Sequence, residues 1–118
     1  MSGAVITDGF DPPIQNLDAF DVVGNRLDGG VDLVISCSGP LDESVGTLRL
    51  IEQKVHGYLL AIARENFAKV YPAAQRGPVR IFISCEHPVS SGARGMIATL
   101  KARAAQSGID LLLVKHMV

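Results

Sequence analysis

One phrase occurs twice in this chain: VDLVISCSGPL at residues 31–41 returns as VRIFISCEHPV at residues 79–89. Each copy runs from an apolar strand pattern through Ser-Cys into a turn with proline, and each precedes a stretch of helical periodicity. A strand and a helix used twice predict two consecutive βα units. Crossovers of this kind are right-handed, so the strands of both units and the strand that follows lie parallel. The repeat also sets Cys37 and Cys85 at equivalent places.

The flanking sequence completes an order of ββαβαβ. Residues 20–26 and 31–37 are two strands joined by Leu27-Asp28-Gly29-Gly30, whose Asp-Gly and Gly-Gly pairs suit the positive φ angles of a tight hairpin. Leu48, Ile51, Val55, Tyr58/Leu59 and Ile62 recur at three- and four-residue spacing and define one face of a long helix. Asp42 or Ser44 caps its start and Glu43 sits near its positive end, while Arg49, Glu52 and Lys54 fall to a solvated face. Gly57 weakens this helix by about 1 kcal/mol relative to alanine and suits a close approach. Pro72 and Gly77-Pro78 end the region. A second helix over 91–106 buries Ala93, Ile97, Leu100 and Ala104, stops at Gly108, and is followed by a strand over 109–114.

The expected architecture is therefore α+β: a two-layer α/β sandwich with a mixed four-stranded sheet, a leading hairpin and both helices on one face. A chain of 118 residues suits a single domain over 20–118. Residues 1–19, with Gly3, Gly9, Pro12, Pro13 and a strand-like Ala4-Val5-Ile6, form an N-terminal arm. On the helix-covered face lie Val31, Leu33, Ile35 and Cys37, their counterparts Val79, Ile81, Ile83 and Cys85, and Ile109, Leu111 and Leu113. The opposite face sets Arg80 between Asp32 and Asp110 and aligns Val34, Phe82 and Leu112 as an apolar patch. Parallel sheets are usually buried on both faces, so this patch asks for a cover: a second subunit, the arm, or water over scattered apolar residues. Val34, Phe82, Leu112 and Arg80 are the candidate interface.

The net charge of −1 provides no basic stripe, so nucleic acid lacks its electrostatic footprint. No apolar run reaches the roughly 18 residues of a membrane span, and no secretory signal pattern opens the chain. Cytoplasm is the expected compartment, where two cysteines stay thiols. Cys37 and Cys85 read first as core thiols, and secondly as thiolates favoured by the helix starts that follow, with His87 as a neighbouring base. Cys85-Glu86-His87 with Cys37 lacks the convergent spacing of a metal site, and no cofactor is expected. Ser90-Ser91-Gly92-Ala93-Arg94-Gly95 opens the second helix, where free N–H groups and a guanidinium favour an anion, but it has neither the P-loop lysine nor GxGxxG. Arg94 lies nine positions after Cys85, which excludes a phosphatase-type loop. The candidate ligand site is Cys37, Cys85, His87, Ser91 and Arg94. With no catalytic constellation, the pattern leans away from an enzyme.

Residues 31–37, Pro40-Leu41-Asp42-Glu43-Ser44, the helix from Leu48 to Leu59 and Val70-Tyr71-Pro72-Ala73-Ala74 together carry a resemblance. They resemble a family of small bacterial proteins of unknown function, which pairs a strand and a Leu-Asp loop with an LLxxKLxxYL helix and a Tyr-Pro segment. The resemblance covers about residues 20–114, and the two cysteines depart from it. It implies a bacterial cytosolic α+β domain and transfers no catalytic residue. From residues and resemblance together, the expected function is a non-enzymatic interaction module, a homodimer or a partner of another protein. The alternative is a small-molecule or anion site at the strand ends.

Overall fold

The computed structural model describes residues 12–17 and 19–115; Ala4-Val5-Ile6 and His116 lie outside them. Its elements are β1 (Val22–Asn25), β2 (Val31–Ser36), α1 (Val45–Ala63), α2 (Phe67–Val70), a 3-10 turn (Pro72–Gln75), β3 (Val79–Ser84), α3 (Ser91–Ala105) and β4 (Asp110–Val114). The sheet order is β1-β2-β3-β4, with β1 antiparallel to β2 and the other pairs parallel. This is the expected mixed sheet and α+β class. The periodicity does not resolve α2 or the 3-10 turn, because a four-residue helix is too short to show a period.

The repeat and the sheet register coincide. Every β2–β3 pair, from Val31↔Val79 to Ser36↔Ser84, joins a residue to its counterpart in the second copy. The match continues beyond the strands, where Cys37 N–H donates to Ser84 O and Leu41 bridges Val89. Two identical alternation patterns laid side by side put like residues on like faces, so this register buries both apolar sets at once.

Both long helices cover one face. Ile51, Val55 and Tyr58 of α1 and Ala93, Ile97, Leu100 and Ala104 of α3 join Val31, Leu33, Ile35, Ile81, Ile83 and Leu111 in one buried cluster. Burying a side chain such as Leu100 contributes about 1.5–3 kcal/mol relative to leaving it exposed. Ser44 caps α1 by accepting from Thr47 N–H, and Asp42 supports it by accepting from the Ser44 hydroxyl and N–H. Gly108, at φ +74°, follows α3.

At the hairpin, Gly29 and Gly30 have φ of +97° and +99°. A Cβ on Gly30 would stand 2.5 Å from Pro78 O, and one on Gly77 would stand 2.6 Å from the Gly29 carbonyl carbon. Glycine is thus required both by conformation and by the approach of two backbones.

Three readings of the sequence need correction. The first strand begins at Val22, and Phe20 instead joins Tyr58, Phe67 and Tyr71 in an edge-on aromatic cluster with ring centroids 4.8–6.2 Å from Phe20. Lys54 is not on a solvated face: its side chain is 0% exposed. Glu43 does not serve α1 but reaches across to the start of α3, as described below. Ile14 is also buried, at 2% exposure, within the core cluster.

Candidate functional site

The loops that leave β2 and β3 are laced together. Leu41 N–H donates to Pro88 O, and Ser90 N–H donates to Leu41 O. Glu43 extends the lacing: its carboxylate accepts from Ser91 Oγ at 3.0 Å and Gly92 N–H at 2.9 Å. The Gly92 N–H, and then the Ser91 hydroxyl, hold the Glu43 carboxyl below its ordinary value. A Cβ on Gly92 would lie 2.8 Å from that carboxylate, so glycine makes the room. The anion expected at the start of α3 is therefore the protein's own Glu43, and Ser91 is committed to it.

Beside this lacing the strand ends open. The last tie of the β3 exit to β4 is Cys85 N–H to Val114 O, whereas its next ties run to the β2 side. Glu86 to Pro88 thus part from β4 and leave a cavity of about 400 Å³, walled by Glu86, His87, Val89, Arg94, Leu113 and Lys115 among others. Of the candidate ligand residues, the structure brings Cys85, His87 and Arg94 to this cavity and leaves Cys37 and Ser91 out of it.

Cys85 belongs to the core cluster, and Cys37 packs half-buried against it. Cys85 is buried, with its sulfur 3.5 Å from His87 O and 3.6 Å from Gly39 O. Burial, and then the neighbouring Cys85, pushes the Cys37 thiol up to about 12. Cys37 is therefore protonated at neutral pH, and a protonated thiol is a poor nucleophile. Among the described residues, no three His, Cys, Asp or Glu side chains are grouped to hold a metal ion.

The sheet face opposite the helices is the second candidate region. Register places Val22, Val34, Phe82 and Leu112 in one row across all four strands. Val34, Phe82 and Leu112 stand outside the core cluster that the helices cover. Val34 is 6% exposed, while Val22 at the sheet edge is 51% exposed. The adjoining row is Gly24, Asp32, Arg80 and Asp110. Arg80 binds Asp32 with two bonds of 2.9 and 3.0 Å and lies over the Phe82 ring at 5.1 Å. It does not bridge to Asp110, which pairs with Lys101 at 2.9 Å. Arg26, two residues beyond Gly24, stands 3.6 Å from Asp32 and 3.3 Å from Asp28.

A third polar centre is not among the sequence candidates. Lys54 Nζ donates to the carbonyls of Gln15, Asn16 and Ala19 and to Asp21 Oδ1, at 2.7–2.9 Å. The other Asp21 oxygen accepts from Ser36 N–H, while Asp21 N–H donates to the Tyr58 hydroxyl, which itself donates to Val34 O. Burial pushes the Tyr58 hydroxyl up to about 12. The signal was present in the spacing: Lys54 follows Ile51 by three and precedes Tyr58 by four, on the buried side of α1. Each of its bonds is made within the chain, so this centre fastens the segment before β1 to α1.

Fold and sites together define a two-layer α+β domain with a two-faced mixed sheet. The model of a family of unknown function, DUF6572, matches residues 13–116, and the chain belongs to that family. The match begins just before the buried Ile14. No curated protein and no solved structure matches the chain. Among the described residues, no helix is long and apolar enough to cross a membrane.

Proposed function

We propose that this protein is a self-associating interaction module whose open sheet face docks on the same face of a second copy. The observation that carries the reading is the four-residue apolar row Val22, Val34, Phe82 and Leu112, which lies outside the helix-covered core. An isologous contact sets the charges near its twofold axis against their own copies, so unpaired charge there opposes it. Here Asp32 is paired with Arg80, Asp28 with Arg26 and Asp110 with Lys101, which leaves the face balanced beside its apolar row. That balance favours a like face over a strongly charged partner. Within the same reading the chain works in a bacterial cytoplasm, where its two neighbouring free thiols stay reduced.

Light scattering behind size exclusion, across a concentration series, tests the proposal. The intact protein is expected to run as a dimer that dissociates on dilution. Phe82→Asp is expected to weaken association by at least about thirtyfold, the size of an interface hot spot, with an unchanged circular dichroism spectrum. A monomer at every concentration overturns the reading.

A further inference from the structure

We infer that the cavity beyond the ends of β3 and β4 binds a small organic phosphate. Among the described residues its wall holds the cationic Arg94 and Lys115 together with His87, against one acidic residue, Glu86. Neither Arg94 nor Lys115 forms an ion pair among the described residues, although Glu86 belongs to the same wall. The competing intramolecular anion, Glu43, is held by Ser91 and Gly92 instead. The donors of the α3 first turn are occupied as well: Ala93 N–H by Ser90 Oγ and Arg94 N–H by Ser90 O. A ligand here is therefore held by side chains and not by the helix terminus.

The remaining wall indicates what the anion is attached to. Val89, Leu113 and the ring of Pro88 line the same space, and about 400 Å³ exceeds what a bare oxyanion fills. Arg94 offers a planar fork and Lys115 a point charge, a pair suited to a tetrahedral dianion, with the short organic part against the apolar residues. The place also has a topological cause. The β3 exit loop is tied toward β2, so the carboxyl ends of β3 and β4 stand open, where ligands of parallel sheets bind.

The test is a nitrogen–proton correlation titration of the full chain with glycerol 3-phosphate, with glycerol and succinate as controls. Saturable shifts are expected at the amides of Glu86, His87, Val89, Arg94 and Lys115, with none from glycerol and weaker binding of succinate. Arg94→Gln, at an exposed position, is expected to weaken binding about tenfold or more while leaving the melting temperature unchanged. Lys115→Gln serves as the second variant and weakens binding in the same direction. No saturation by about 10 mM overturns the inference. So do shifts centred on Ser91 and Gly92, which place the anion on the helix terminus, or an Arg94→Gln affinity within twofold of the parent. Succinate binding as tightly overturns the assignment to phosphate.

Discussion

A buried ammonium is costly unless its protons find acceptors, and Lys54 meets that condition with three carbonyls and one carboxylate. Lys54→Met keeps the length of the side chain but leaves these oxygens and Asp21 unpaired. It is expected to lower unfolding free energy by about 3 kcal/mol, measured by urea denaturation. Asp21→Asn leaves Lys54 its three carbonyls and is expected to cost less. Alkaline pH addresses two other residues. Cys37 and Tyr58 both have folded values near 12, above ordinary values of 9.0 and 10.0. Folding thus favours their protonated forms, and that contribution is full below about pH 9 and is lost as pH rises toward 12. The urea midpoint is expected to hold between pH 7 and 8.5 and to fall steeply by pH 11, and Cys37→Ser with Tyr58→Phe is expected to flatten that fall.

At the scale of elements, α3 contains two glycines with opposite roles. A Cβ on Gly95 meets nothing within 4 Å, so Gly95→Ala is expected to stabilise the protein by about 1 kcal/mol through helix propensity alone. Gly92→Ala drives a Cβ to within 2.8 Å of Glu43 and is expected to lower the melting temperature by dislodging that carboxylate. Calorimetry of the two variants should give shifts of opposite sign. The extent of α3 and its four buried residues were legible from periodicity, because an amphipathic helix lying on a sheet writes its contact face into the spacing. The partner of its first turn was not. Glu43 lies 49 residues before Gly92, beside the wrong helix in the sequence, and only the lacing of the two exit loops brings it across.

For the whole molecule, the question is where the domain begins and which sheet face is finished. Ile14 is buried in the core cluster, and its neighbours Pro12, Pro13, Gln15, Asn16 and Ala19 supply carbonyls to Lys54 and Ser38. Ile14→Ala is therefore expected to cost about 3 kcal/mol, a core-sized loss read from denaturation midpoints. A polar, proline-containing stretch carries no periodicity, so the sequence offered no sign of that anchor. The sequence by itself determined the strand order, the parallel register and the assignment of faces. A duplicated alternating pattern paired copy to copy buries both apolar sets together, and glycines suit the hairpin. The tertiary structure alone decided that Lys54 is buried, that Glu43 caps α3 and that Arg80 chooses Asp32 over Asp110. These depend on distances between groups far apart in the chain. Local propensity reports which face a residue takes, but a charged group finds its partner only after the chain has closed around it.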